Sequence, residues 1–182
     1  MSASAAVGPA TTSVLAVCAH PDDESFGLGA VLTRFADAGA TVSMLCFTHG
    51  EASTLGRSDR PLGEVRRAEL TAAAAVLGVG RVALLDYPDG GLAEVPLERL
   101  AADVADELNA EFSAGFVGRD AGGVDLRLDV DRAVQRRAIA CHASQAHDNP
   151  VLARRLELLG DTESLVWLRP AVRDPRAGGA TV

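Results

Sequence analysis

Four side chains that could bind a metal ion or move a proton stand together in the sequence: His20, Asp22, Asp23 and Glu24. They follow an apolar run, 13–19, whose length and β-branched residues are typical of a fully buried central strand. Pro21 cannot donate a hydrogen bond to a sheet and biases His20 toward an extended conformation, so the strand should end here and lead into a helix near Ser25. Because ligands bind at the carboxyl ends of strands in open α/β sheets, the four side chains are predicted to lie at such an edge.

The spacing within this group fits a metal site. His20 and Asp23 are three positions apart across a tight turn, so one nitrogen and one oxygen could converge on a zinc-like ion that keeps a position open for water. Asp22 would lie beside the ion without binding it, where its carboxylate could take a proton from the metal-bound water. Alternatively, the carboxylates only cap and charge the first turn of a helix. The residue chemistry alone leaves both interpretations open.

A set of ordered motifs extends this pattern along the chain. They are 19–24 (AHPDDE), 48–51 (THGE), 66–69 (RRAE), 77–79 (LGV), 87–90 (YPDG) and 142–145 (HASQ). In this combination the chain resembles the PIG-L (LmbE-like) deacetylases, whose hallmark is a first strand that ends in A-H-P-D-D-E. Several ordered matches are far more specific than a single motif.

The resemblance implies a fold, a reaction and a set of site residues. The fold is an α/β three-layer, Rossmann-like domain with a mostly parallel central sheet. The reaction is the hydrolysis of an N-acetyl amide on an amino-sugar conjugate. Zinc, or another divalent ion, would be held by His20 and Asp23, and Asp22 would be the general base. Arg66 and Asp89 would bind the sugar.

Arg66 and Asp89 also have structural interpretations. Arg66 could form a surface salt bridge with Glu64 or Glu69 on its own helix. Asp89 could serve only to form the turn before Gly90.

Three further residues are predicted near the same edge: His49, Asp86 and His142. His49 and Asp86 each follow a predicted strand, which favours the site, although a histidine at a strand end often only caps a loop. His142 is predicted within a helix among small residues, where a buried structural histidine is at least as frequent as a catalytic one. Any of the three could take the place of a third metal ligand.

One part of the family pattern is missing. The family has a further strand and a G-H-P-D-H segment that supplies the third metal ligand, but no H-x-x-H occurs in this chain. Either the protein lacks this strand, or an internal segment is absent near 103–107. With two ligands where catalytic zinc sites have three, we expect weak metal binding, poor deacetylation, and either a backbone break between Asp103 and Asn109 or an open metal site. The alternative function is a catalytically impaired relative that binds a sugar conjugate or a partner without turnover.

Hydrophobic periodicity and turn residues predict alternating strands and helices around these motifs. The predicted strands are 13–19, 41–47, 81–85 and 124–128, and the predicted helices are 26–38, 64–77, 96–109, 131–145, 151–159 and 161–167. The first two strands and the helix between them form a βαβ unit, which requires a parallel, right-handed connection. We expect one domain, 13–168, between flexible tails at 1–12 and 169–182.

Length and composition restrict the class of protein. A chain of 182 residues, 48% of them hydrophobic, fits one domain with a sizeable core. A net charge of −8 without a basic run argues against nucleic-acid binding, and no stretch reaches membrane-spanning length. Three widely spaced cysteines (Cys18, Cys46 and Cys141) and the lack of a signal peptide predict a cytoplasmic protein. A nucleotide-binding Rossmann protein is disfavoured, since the first strand ends in HPDDE instead of a G-x-G-x-x-G loop.

Overall fold

The computed structural model describes residues 11–56, 59–109 and 126–165. Its main sheet has three parallel strands in the order β1-β2-β3: β1 Ser13–Cys18, β2 Thr41–Thr48 and β3 Arg81–Tyr87. Cys18 pairs with Cys46, and Thr48 pairs with Tyr87. The strands therefore end nearly level, and the segments that follow them meet at one edge.

Seven helices and a second, two-stranded antiparallel sheet complete the described part of the chain. The helices are α1 Asp23–Phe26, α2 Gly29–Asp37, α3 Leu62–Leu77, α4 Leu97–Asn109, α5 Arg132–Cys141, α6 Ala143–Ala146 and α7 Pro150–Leu158. The second sheet pairs β4 Leu126–Asp129 with β5 Thr162–Leu165. A 3-10 turn, Leu92–Glu94, precedes α4.

The core lies between the main sheet and the helices α2, α3 and α5. Side chains that alternate along β1 and β2, such as Cys18, Met44 and Cys46, pack there against Phe35 and Leu77. Because alternate residues of a strand point to opposite faces, Phe47 lies on the other face, where α4 lines an apolar groove with it. The predicted α/β class with a parallel sheet flanked by helices is confirmed.

The prediction of a fully buried first strand is wrong. Only alternate residues of β1 are buried, and Val17 is 42% exposed. Within the described residues β1 is the outer strand of the sheet and β2 is the central one. The continuous burial expected of a central strand is found in β2, where Val42 to Thr48 are all buried.

Two predicted helices are interrupted. The first is divided because Gly27 and Leu28 both donate their backbone N–H to Asp23 O, so α1 ends and α2 starts anew at Gly29. The second, 131–145, is divided at His142, whose ψ of 57° takes the chain out of the helix. Helical periodicity continues across both breaks, which is why the sequence did not show them.

The predicted last helix, 161–167, is also wrong in its described part. Thr162–Leu165 is strand β5, which pairs with β4 and buries Leu165 opposite Leu126. This pairing lies between segments that are far apart in the sequence, and such contacts override weak local preferences.

The expected backbone break is not observed, since α4 runs without interruption from Leu97 to Asn109. The predicted tails, 1–12 and 169–182, lie almost entirely outside the described residues. Within the described ranges, no helix is both long and apolar enough to cross a membrane.

Candidate functional site

The turn after β1 brings the two predicted metal ligands together. Asp23 Oδ2 accepts hydrogen bonds from the backbone N–H groups of Ala19 (3.1 Å) and His20 (3.0 Å). The same oxygen lies 3.7 Å from His20 Nδ1, and the two side chains are 47% and 41% exposed. The turn thus fixes a carboxylate and an imidazole side by side at the solvent-facing edge of the sheet.

Asp89 meets the other nitrogen of His20. Its Oδ1 lies 3.1 Å from His20 Nε2, and its side chain is only 9% exposed. Asp89 Oδ2 accepts the N–H of Ala52 (2.9 Å), while the N–H of Asp89 donates to Glu51 Oε1 (3.0 Å). These bonds connect the loop after β3 with the loop after β2, and they place Asp89 within hydrogen-bond distance of His20.

The donor set fits part of a zinc site. Two ligands of a tetrahedral zinc ion, with bonds near 2.0–2.1 Å, are separated by roughly 3.3 Å. The 3.7 Å between His20 Nδ1 and Asp23 Oδ2 is close to this separation. Among the described residues, no group of three or more His, Cys, Asp or Glu side chains is arranged to hold an ion. The geometry of the two side chains is therefore compatible with part of a zinc site.

Asp22 has a strained backbone and a largely buried carboxylate. Its φ of 135° is rare for a residue other than glycine, and such strain is found mainly at functional sites. The side chain is 16% exposed, with Oδ2 3.0 Å from Arg66 Nη2. Burial raises the pKa of Asp22 to about 6, although the charge of Arg66 acts to lower it. Asp22 can therefore exchange a proton near neutral pH.

Arg66 lies beneath this turn rather than on a helix surface. It is 3% exposed, and it donates from Nη1 to Gly50 O (2.7 Å) and from Nη2 to Pro21 O (2.5 Å). Gly50 has a φ of 67°, and a Cβ at this position would collide with the guanidinium. Arg66 thus joins the loops after β1 and β2 while it pairs with Asp22.

The alternative of a surface salt bridge for Arg66 is wrong. Glu64 instead pairs with Arg60 at 3.4 Å. Glu69 accepts hydrogen bonds from the N–H and Oγ of Ser144 at 2.8 Å and 2.6 Å. The role of Arg66 as a sugar contact stays a prediction.

His49 and Asp86 form a separate pair at the ends of β2 and β3. His49 Nε2 lies 2.9 Å from Asp86 Oδ1, with Asp86 95% exposed and His49 27% exposed. Both residues are at the predicted edge. In the described structure they bind each other and do not join His20 and Asp23 in a group that could hold an ion.

His142 lies behind the turn, fully buried. Its Nε2 is 2.6 Å from Glu24 Oε1, and both side chains are 0% exposed. Glu24 Oε1 also accepts from Ser25 Oγ (2.6 Å). Burial acts to raise the pKa of Glu24, but the hydrogen bond and charge of His142 prevail and lower it below its ordinary value. His142 contacts the turn after β1 through Glu24.

Sequence reasoning missed two residues that shape this edge. It placed Glu24 among the four side chains of the turn without identifying a partner, whereas Glu24 is the buried partner of His142. Thr48 went unnoticed, yet its Oγ1 donates to Ala19 O (2.9 Å) and accepts the N–H of Gly50 (3.2 Å). A signal existed for both, since a buried histidine and a hydroxyl at the end of a buried strand each require a partner.

A comparison with protein families supports the motif pattern. The family model described as "PIG-L: GlcNAc-PI de-N-acetylase" matches residues 15–117. A 1D-myo-inositol 2-acetamido-2-deoxy-alpha-D-glucopyranoside deacetylase of Kineococcus radiotolerans is 44% identical over 86 residues, which are 42% of this chain and 23% of the relative. The chain spans less than half of the length of the curated relatives that it matches.

Two solved structures resemble the fold to the same degree. The N,N'-diacetylchitobiose deacetylase of Pyrococcus horikoshii has a TM-score of 0.61 and 17% identity, over 81% of this chain and 75% of that one. The 4-carboxy-2-hydroxymuconate hydratase of Pseudomonas putida has a TM-score of 0.61 and 21% identity, over 89% of this chain and 98% of that one. Since the two names describe different reactions, the fold does not determine the chemistry, which must be argued from the site.

Proposed function

Since the chain belongs to the PIG-L family, we propose that it is a metal-dependent N-deacetylase that hydrolyses the N-acetyl group of an amino-sugar conjugate. The observation that carries the proposal is the turn after β1, where His20 and Asp23 lie 3.7 Å apart beside the strained Asp22. The deacetylase names of the similar proteins support the substrate class.

His20 and Asp23 would hold zinc or another divalent cation. When bound, such an ion polarises the amide carbonyl and lowers the pKa of water. The contacts of His20 suit this role. A hydrogen bond from Nε2–H to Asp89 leaves the lone pair of Nδ1 free beside Asp23. Asp89 would then orient the imidazole, in addition to the sugar contact implied by the family resemblance.

Asp22 would act as the general base. Its pKa of about 6 leaves it mostly ionised at neutral pH, yet basic enough to take a proton from the attacking water. Arg66 would fix the position of this carboxylate through the 3.0 Å contact to Oδ2. Asp22 lies between the two proposed metal ligands in the sequence, and Arg66 contacts the same turn at Pro21 O.

One observation favours the alternative, a relative that binds a sugar conjugate without turnover. Among the described residues, no group of three His, Cys, Asp or Glu side chains is arranged to hold an ion, whereas catalytic zinc sites have three protein ligands. Such a protein would bind metal weakly and turn over slowly, although its sugar contacts would be retained.

Metal analysis combined with an acetate-release assay separates the two functions. The purified protein is incubated with zinc and with N-acetylglucosamine conjugates, and released acetate is measured. We expect His20→Ala to lose bound metal. Asp22→Asn should keep the metal and lose turnover. Acetate release at the wild-type rate by Asp22→Asn would disprove the role of the base, and metal-loaded wild-type protein that binds the conjugate without releasing acetate would establish the alternative.

A further inference from the structure

The strained conformation of Asp22 must be maintained by its surroundings, because a non-glycine residue does not keep such a φ by itself. Three hydrogen bonds act on its backbone. The carbonyl accepts the N–H groups of Ser25 (3.0 Å) and Phe26 (2.8 Å), as in an ordinary helix start. The N–H donates to Glu24 Oε2 at 2.9 Å, which is a side-chain contact particular to this turn.

Both oxygens of Glu24 are engaged. Oε2 accepts the N–H of Asp22, and Oε1 accepts from Ser25 Oγ and lies 2.6 Å from His142 Nε2. The side chain is 0% exposed, so no water shell replaces a lost partner. The orientation of Glu24 is therefore determined by His142 as well as by its own turn.

His142 is fully buried and lies in a segment that is far from Glu24 in the sequence. The break between α5 and α6 projects its ring inward, and the ring packs edge-on against Phe26 with centroids 5.9 Å apart. Among the described residues Nδ1 has no hydrogen-bond partner, so a proton on Nδ1 would be buried without an acceptor. Nε2 therefore carries a proton, which it donates to Glu24 Oε1.

We propose that Glu24 and His142 are positioning residues that hold Asp22 in the strained conformation from which it acts as a base. The proposal rests on the proposed function for the meaning of that conformation. Arg66 fixes the carboxylate of Asp22, and the Glu24–His142 pair fixes its backbone N–H. Glu24 belongs to the motif AHPDDE and His142 to the motif HASQ, and the two residues are 118 positions apart. Both motifs thus stabilise the same turn.

The first test uses amide hydrogen exchange and needs no activity. In the wild type, the N–H of Asp22 should be protected through its bond to Glu24. His142→Leu removes the donor to Glu24 and retains an apolar side chain, so we expect the protection of the Asp22 amide to fall at least tenfold. His142→Gln can place an amide donor near the position of Nε2 and should restore most of it. If His142→Leu does not fold, Glu24→Met, which removes both acceptor oxygens, gives the same readout.

The second test measures turnover. A displaced base lowers kcat, and a misplacement of about 1 Å can cost roughly 100-fold. We therefore expect kcat of His142→Leu to fall roughly 10- to 100-fold with KM nearly unchanged, and His142→Gln to recover it. Ser144→Ala is the matched control, because it removes a hydrogen bond to Glu69 in the adjoining helix without touching Glu24. This variant should retain the wild-type kcat and Asp22 protection.

The outcomes distinguish this proposal from the proposed function. Unchanged Asp22 protection in both His142→Leu and Glu24→Met would overturn the positioning role, whatever the activity. Equal loss in His142→Leu and His142→Gln would also overturn it, because packing alone would then explain the effect. A wild type without deacetylase activity but with the expected exchange pattern would reject the proposed function and retain the structural part of the inference.

Discussion

Asp22 is subject to opposing electrostatic effects. Burial favours its neutral form and the guanidinium of Arg66 favours its charged form, and burial prevails, with a resulting pKa of about 6. The folded protein therefore binds a proton at Asp22 more readily than the unfolded chain does. This difference links the stability of the protein to the chemistry proposed for the residue.

The linkage predicts a pH-dependent difference between the wild type and Asp22→Asn. A raised pKa contributes stability that is fully present below the unfolded value of 3.8 and is lost as the pH rises through about 6. From pH 4 to pH 7, the free energy of unfolding of the wild type should fall by about 2 kcal/mol relative to the variant, because part of the contribution is already lost at pH 4. Urea denaturation at several pH values measures this. Parallel curves for the two proteins would show that Asp22 has no raised pKa.

The buried Arg66 should contribute far more to the stability of the protein than the exposed Arg60. Arg66→Met leaves Gly50 O, Pro21 O and the Asp22 carboxylate without their donor, and loss of one partner of a buried pair costs about 3 kcal/mol. Arg60→Met removes an exposed pair with Glu64 and should cost less than about 1 kcal/mol. Chemical denaturation measures the free energy of unfolding of both variants. Similar losses would contradict the role of Arg66 in joining the loops after β1 and β2.

At the level of the elements, the parallel βαβ arrangement was predictable, because apolar runs separated by an amphipathic helix permit few other connections. The positions of His20, Asp22 and Asp23 at the edge followed from the end of β1. The prediction placed β1 in the centre of the sheet, however, since an apolar run does not reveal how many neighbours a strand has. Only the pairing of the strands shows that β2 is central.

The features that the sequence did not reveal depend on distant contacts. The bend at His142 brings its ring to Glu24, and β5 forms because β4 lies beside it. Arg66 was expected to pair within its own helix, but the pair with Asp22 forms across 44 positions of the chain. Local patterns cannot rank such partners, because several are equally compatible with the spacing.

Two glycine substitutions test the contact between Arg66 and the loop after β2. Gly50 and Gly39 both have positive φ values, 67° and 89°, so alanine is strained at either position. A Cβ at Gly39 meets nothing within 4 Å, whereas one at Gly50 collides with Arg66. Gly39→Ala should cost about 1 to 2 kcal/mol from strain alone, and Gly50→Ala clearly more. Thermal unfolding of both variants measures the difference, and equal losses would mean that the loop and Arg66 are not in close contact.

For the whole molecule, distant segments are joined around the ends of the parallel strands. Glu24 binds His142, Ser53 Oγ donates to Gln145 Oε1 at 2.8 Å, and Gln135 Nε2 donates to Ser25 O at 3.0 Å. Each bond connects the sheet region to α5 or α6. The candidate site therefore depends on the docking of the later helices against the first two strands, and its local order should reflect global stability.

The reactivity of the cysteines can show whether the strand that carries the candidate site opens only with global unfolding. Cys18 and Cys46 are 3% and 0% exposed and lie opposite each other on β1 and β2. Burial raises the pKa of Cys46 to about 12 and that of Cys18 well above its ordinary value, so neither forms a reactive thiolate in the folded protein at pH 8. Cys141 is only partly buried and should be alkylated by iodoacetamide first.

Cys18 and Cys46 should then react together, at one rate that increases with urea in the same way as global unfolding, because the paired strands open as a unit. Mass spectrometry of each cysteine-containing peptide over time measures the three rates. Fully unfolded protein, in which all three thiols react alike, is the control. Rapid modification of Cys18 alone would show that β1 detaches from β2 without unfolding of the core, and the proposed metal ligands would then lie on a strand that the sheet does not hold firmly.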